Sequence, residues 1–154
     1  MQKTNLSIEF EGKTYTGFDF ADLPIEAAKL LACSQIDQAA DAARRSVLGE
    51  SLRALEYQVT ADEAATFAAA GYAGEVPQTV QAWMDAAGLE AQAATDDILA
   101  EAAAWKQAMY RLRAVRLKGK QDALKVATHG AAEVVADEAI AAIQACVKGV
   151  GNAA

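Results

Sequence analysis

Apolar and polar residues alternate along the first twenty positions of the chain. Leu6, Ile8 and Phe10 are separated by polar residues, which is the two-residue period of a half-buried β-strand. Glu11-Gly12 predicts a two-residue turn, and the residues that follow predict a returning strand in which Tyr15 faces Ile8. Because an isolated hairpin is marginally stable in water, we expect this one to pack on a helix or to join a sheet with another chain.

Helical periodicity starts at Ile25. Apolar positions recur at steps of three, four and four residues, and this repeat of about 3.67 residues per turn predicts a nearly straight packing seam. The seam comprises Ile25, Ala28, Ala32, Ile36, Ala39, Ala43 and Val47. Pro24 suits the first turn of a helix. We predict that this helix covers residues 24–58, although Gly49 weakens it.

Two short helices are predicted between residues 60 and 88. Thr60 and Glu63 match the capping box that starts a helix, and this helix is expected to end near Gly71. The second opens at Pro77 and closes at Gly88, because proline favours a helix start and glycine a helix end.

A second long helical pattern runs over residues 89–127, with Gly119 as a weak point. Its main apolar stripe contains Ala94, Ile98, Ala102, Trp105, Met109, Leu112 and Val115. A last helix is predicted at 131–148, after a break at His129-Gly130.

These patterns predict a mainly α protein: an N-terminal β-hairpin followed by an elongated helical hairpin or bundle with two long and about three short helices. We divide it into a hairpin docking segment at 1–22, a helical domain at 23–149 and a frayed tail at 150–154. About a quarter of the residues are alanine and only 6% are aromatic, so few large side chains hold the helices together. Close approach of the helices, oligomerisation or both would compensate, and we expect a homo-oligomer.

The overall charge narrows the function classes. A net charge of −7 argues against general nucleic-acid binding, which requires a positive surface. No run of 18 apolar residues is present, and residues 1–5 lack the apolar stretch of a signal peptide. We therefore expect the chain to be made and kept, or assembled, in the cytoplasm.

Groups that could carry catalysis or hold a metal are scarce. His129 is the single histidine, and we interpret it as a solvent-exposed or helix-capping residue. The zinc-binding His-Glu-x-x-His and Cys-x-x-Cys motifs, the phosphate-binding glycine loop and the serine-nucleophile elbow are all missing from the sequence. We interpret Cys33 and Cys146 as reduced residues, with a disulfide as the alternative. The sequence therefore predicts no enzyme activity, cofactor or metal.

Half of all lysines and arginines lie within twenty residues of the second long helix. They are Lys106, Arg111, Arg113, Arg116, Lys118, Lys120 and Lys125. One interpretation is a solvated face that complements the helix dipole. Another is an electrostatic dock for an acidic partner chain, such as the first helix of a neighbouring subunit, and the third is nucleic acid.

A diffuse set of positions carries a family resemblance. The set runs Ile36-Asp37, Ala43-Arg44, Glu56-Tyr57, Glu63-Ala64, Phe67, Pro77, Trp83, Gly88, Ile98-Leu99, Ala104-Trp105, Arg113, Arg116 and Lys120. In this arrangement the chain resembles small alanine-rich helical proteins encoded among the tail genes of tailed bacteriophages and prophages. The resemblance implies a structural role in the virion tail, near the tail fibre or baseplate, with assembly in the host cytoplasm. It carries over no functional residues.

We therefore predict a phage virion structural protein, attached to a tail fibre or baseplate, that acts through protein–protein packing. A trimer would suit tail-fibre geometry. A tail-fibre assembly chaperone is the alternative, and a small helical regulatory or nucleic-acid-binding protein is a third. The predicted protein-interaction residues are Ile8, Phe10, Tyr15, Ile25, Ile36, Val47, Trp105, Met109, Arg113 and Arg116.

Overall fold

The fold is known from a computed structural model, which describes residues 1–49 and 51–150. Two strands, one 3-10 turn and five helices follow in chain order. They are β1 (Leu6–Phe10), β2 (Lys13–Phe18), the 3-10 turn (Phe20–Asp22), α1 (Ile25–Leu48), α2 (Ser51–Ala69), α3 (Gln78–Ala87), α4 (Ala91–Lys125) and α5 (His129–Cys146). The predicted fold class is confirmed, because an N-terminal hairpin precedes five helices, two of them long. None of the helices in the described ranges combines the length and the apolar character needed to cross a membrane.

The β-hairpin forms as predicted. Strands β1 and β2 pair antiparallel, with Ile8 opposite Tyr15. Glu11 and Gly12 both have positive φ angles, 49° and 74°, which is the combination of a type I′ turn. The register shifts by one residue next to Leu6, and Gly17, at a φ of 76°, takes the extra position on β2. The hairpin packs on its own chain, since Leu6 lies in the core and Ile8 and Tyr15 pack against it.

The predicted helix over 24–58 is wrong at its C-terminal end, because α1 ends at Leu48. Gly49 has a left-handed φ of 60°, and its amide closes the helix on the Arg45 carbonyl at 2.9 Å. The helix start predicted at Thr60 is also wrong. Thr60 lies inside α2, which continues to Ala69 because neither glycine nor proline interrupts it.

The remaining helices follow the predictions more closely. Helix α3 ends at Gly88, whose left-handed φ of 67° places its amide 2.8 Å from the Met84 carbonyl. Helix α4 runs unbroken through Gly119, contrary to the predicted weak point. The predicted break at His129-Gly130 is wrong, because Thr128 caps α5 and both residues belong to its first turn.

The chain forms two compact units. The first contains Met1–Arg44 and Met109–Lys148, and the second consists mainly of Arg45–Ala108. The domain boundaries predicted at residues 22 and 149 stay predictions, and the predicted frayed tail beyond residue 150 lies outside the described residues.

Small residues dominate the core of the first unit. Half of its described buried residues are alanine, and Phe20, Ile36, Leu112 and Ile143 are the largest that are fully enclosed. Gly119 marks the closest approach, because a Cβ added there would lie 2.6 Å from the Cβ of Ala139. The glycine is therefore required by the contact between α4 and α5.

The core of the second unit is smaller. Ala64, Val80 and Ala94 are fully buried at its centre. Larger side chains that remain half-buried surround them, namely Val76, Trp83, Met84, Leu89, Ile98 and Leu99. This unit consequently leaves much of its apolar surface accessible.

Candidate protein-interaction surfaces

The structure places the predicted interaction residues in three kinds of position. Ile8, Phe10, Tyr15 and Ile25 are half-buried residues of the first unit. Ile36 is fully buried and has no surface to offer a partner in this fold. The prediction that the hairpin residues dock on another chain stays a prediction.

Two further groups of predicted residues lie on α1 and α4. Met109 packs half-buried against the core of the first unit, and Arg116 is held beside Asp37. Arg113 is exposed on α4. Val47 and Trp105 line an open groove of the second unit.

A line of exposed residues follows the second half of α4, within the first unit. Tyr110, Ala114, Leu117, Gln121 and Leu124 are all exposed, and we call this line the stripe. Its large members keep 56%, 43% and 41% of their surface accessible at Tyr110, Leu117 and Leu124. The steps of four and three residues are those of a coiled-coil seam, so the stripe has the spacing that receives another helix.

Basic side chains border the stripe on both sides. Arg111, Lys118 and Lys125 each follow a large stripe residue, and Arg113 and Lys120 each precede a small or polar one. In a heptad these are the flanking positions that select the charge of a partner helix. Residues 109–125 carry six lysines and arginines but one acidic residue, so this surface is positive although the chain is negative.

Part of this positive charge is balanced within the chain. Asp37 on α1 accepts hydrogen bonds from Arg116 at 2.8 Å and from Lys120 at 2.5 Å. Burial acts to raise the pKa of Asp37, but the bonds from Lys120 and Arg116 outweigh it and hold that pKa below its usual value. Lys118 pairs with Asp122 one turn along α4. The interpretation of the basic residues as a dipole-complementing face is therefore incomplete, because some of them join α4 to α1.

An apolar groove of about 900 Å³ lies in the second unit, between α2 and the first half of α4. Leu55, Tyr57, Trp83, Ile98 and Trp105 are its largest apolar lining residues. Leu55 keeps 58% of its surface accessible, so this side of α2 is uncovered. The volume falls within the range of sites that bind drug-sized ligands or side chains, and the lining is mainly apolar, as such sites require.

The charged residues that line the groove, which we call its rim, are mainly acidic. Glu56 and Asp62 lie on the α2 side and Asp97 and Glu101 on the α4 side, against one basic residue, Lys106. These acids give the groove the opposite charge to the residues that border the stripe.

Both tryptophans of the chain line this groove. Trp83 donates from its indole Nε1 to the Asp97 carboxylate at 2.8 Å, which orders one wall. The indole Nε1 of Trp105 is buried without an acceptor. A buried donor left unpaired costs about 1–3 kcal/mol. Trp83 therefore has two roles, because it packs half-buried against the core of the second unit and also lines the groove.

The histidine and the two cysteines, the remaining candidates for chemistry, contact other parts of the fold or are free thiols. The Nε2 atom of His129 lies 2.8 Å from the Leu23 carbonyl, and its ring meets Phe20 edge-on. Cys33 and Cys146 are both free thiols, and burial raises the pKa of Cys33. Across the described part of the chain, histidines, cysteines and carboxylates form no cluster of three that could hold a metal ion.

The stripe and the full extent of the groove are not among the features predicted from the sequence above. The signal for the stripe was available, because Tyr110, Leu117 and Leu124 are spaced by seven residues between basic neighbours. The groove gave no comparable signal, since its walls come from positions about forty residues apart.

Comparisons of the chain with protein-family models, with curated proteins and with solved structures found no match.

Proposed function

We propose that this protein is a structural component of a bacteriophage tail, located at the fibre or baseplate, and that it works by packing against other protein rather than by catalysis. The observation that carries the packing role is the stripe. Its three large side chains are accessible to solvent although they have the spacing of a helix-packing seam. Aligned apolar side chains of this kind mark interaction sites more often than scattered ones do.

The location in a phage tail is supported by the resemblance to proteins encoded among tail genes. It agrees with the alanine-rich helices and with the N-terminal hairpin. The protein would be made in the host cytoplasm and retained in the virion.

The test is the protein content of tail particles purified from a culture that encodes this chain. We expect the protein in finished particles, and we expect Leu117→Asp to lower its amount at least tenfold because a carboxylate in the stripe prevents packing. Val134→Asp is the matched control, because Val134 is 56% exposed on α5, outside the stripe. This control should leave the amount unchanged.

Two results would overturn the proposal. Absence from both finished particles and assembling tails would exclude a role in the tail. Presence on unfinished fibres but absence from finished particles would replace the structural role with that of an assembly chaperone.

A further inference from the structure

We propose that the groove and the stripe are the two halves of one contact between copies of this chain: the stripe of one copy lies in the groove of a second copy. This inference rests on the proposed function, because it names the partner of a packing surface. The contact joins two different surfaces, so it is heterologous rather than two-fold symmetric.

Charge is the first argument. The stripe is bordered by Arg111, Arg113, Lys118, Lys120 and Lys125. The groove is bordered by Glu56, Asp62, Asp97 and Glu101. Two stripes packed together would oppose like charges, and so would two grooves, whereas a stripe in a groove opposes unlike charges. Asp37 and Asp122 neutralise some of the basic groups, but the segment 109–125 keeps an excess of positive charge.

Length is the second argument. The groove runs along residues 97–106 of α4 and residues 54–62 of α2. At 1.5 Å per residue these walls are about 12–14 Å long. Neighbouring large residues of the stripe, such as Leu117 and Leu124, are separated by about 10 Å along their helix. The groove can therefore receive two of the three large stripe residues at once.

Apolar surface is the third argument. Both surfaces expose large side chains that a monomer leaves in water, with Leu55 at 58% and Tyr110 at 56%. Covering one with the other removes both from solvent without requiring another protein.

The experiment uses the whole chain and two variants, each damaging one surface. Leu117→Asp places an acid in the stripe, where it meets the acidic rim. Leu55→Arg places a base in the groove, where it meets the basic border. Both positions are exposed, so we expect both variants to fold. The matched controls are Val134→Asp and Val59→Arg, because Val59 is 44% exposed on α2 but does not line the groove.

Sedimentation equilibrium measures the mass as a function of protein concentration. We expect the wild-type chain and both controls to exceed the mass of a dimer as the concentration rises, starting from a monomer of 16.1 kDa. Each variant alone should remain a monomer. A mixture of the two should associate although neither does so alone, because Leu117→Asp still has its groove and Leu55→Arg still has its stripe.

Tryptophan fluorescence provides an independent reading, because both tryptophans line the groove. Titrating the Leu55→Arg chain into the Leu117→Asp chain should shift the emission to shorter wavelength. Raising the salt from 0.05 to about 0.5 M should weaken the association several-fold, because the charges that face each other are screened.

Several results would overturn the inference. A wild-type chain that stays monomeric up to millimolar concentration would do so, as would variants that fail to complement each other or a Leu55→Arg chain that associates like wild type. Binding of the wild-type chain, but not of Leu117→Asp, to phosphatidylglycerol vesicles or to a 20-base-pair DNA duplex without self-association would assign the stripe to a membrane or to nucleic acid. If self-association fails while the protein is found in tail particles, the proposed function stands and this inference falls.

Discussion

We predict that Gly119→Ala destabilises the fold, because α4 and α5 contact each other closely at this glycine. A methyl group added at Gly119 would lie 2.6 Å from the Cβ of Ala139, whereas two carbon atoms in ordinary contact are about 3.5–4.0 Å apart. The Ala139 Cβ is attached directly to the backbone and cannot rotate away. The two helices would therefore have to separate by about 1 Å.

Two effects of Gly119→Ala oppose each other. Alanine favours the helix over glycine by about 1 kcal/mol. Overpacking a well-packed core costs about 1–3 kcal/mol. Since the clash lies between two helix backbones rather than at a flexible side chain, we expect the cost to prevail and the free energy of unfolding to fall by about 1 kcal/mol. With a urea dependence of about 2 kcal/mol per molar, the unfolding midpoint should fall by about 0.5 M.

The effect of Gly119→Ala on the free energy of unfolding should change sign in a chain that already carries Ala139→Gly. Ala139→Gly removes the methyl group that Gly119→Ala would strike. In that background Gly119→Ala should raise the free energy of unfolding by about 1 kcal/mol, because only the helix preference remains. Urea titration followed by circular dichroism at 222 nm measures all four chains of this cycle. An increase in midpoint on adding Gly119→Ala to the wild-type chain would refute the argument.

Two more predictions concern α1 and α5. Asp37→Asn should lower the free energy of unfolding at pH 7 by about 1–2 kcal/mol, because it leaves two half-buried basic groups without their acid. The folded-state pKa of Asp37 is depressed, so its contribution to the free energy of unfolding is present above the unfolded pKa of about 3.9 and is lost as the pH falls through the lower folded value. The urea midpoints of wild type and variant should therefore converge below pH 4. A gap between the midpoints that does not change with pH would contradict this. Thr128→Ala removes the hydroxyl that accepts a hydrogen bond from the Ala131 amide at 3.2 Å, so the free energy of unfolding should fall by about 1 kcal/mol. Thr128→Ser keeps a hydroxyl and should have the urea midpoint of the wild type. Equal midpoints for the alanine and serine variants would contradict the capping role.

The features that the sequence predicts correctly are local ones. The turn at Glu11-Gly12 and the helix end at Gly88 both require a left-handed backbone. Glycine adopts this conformation readily, so the glycine at each place indicates it in the sequence. The inward-facing apolar positions of α4 from Ala94 to Val115 were also predictable, because they repeat with the helical period. In the structure each of them is at least half-buried.

The errors arise where a local signal has a distant cause. Gly119 looks like a helix breaker, but its role is set by Ala139 on another helix. Thr60 and Glu63 match a capping box, yet a capping box starts a helix only where the preceding residues are not helical, and the residues before Thr60 are. The ion pairs of Asp37 join residues 79 and 83 positions apart, a separation that no local pattern reports.

The distribution of large and small side chains ties the fold to the proposed function. The core of the first unit is half alanine among its described residues, and its closest contact requires a glycine. Larger apolar groups would stabilise such a core more strongly, since each buried methylene contributes about 0.8 kcal/mol. The chain nevertheless exposes Tyr110, Leu117 and Leu124 on one line and Leu55 beside a groove. Single exposed leucines are common, but aligned ones between charged borders are not explained by the stability of one chain. Their placement is explained if the surface that the small core does not bury is buried when one copy packs on the next.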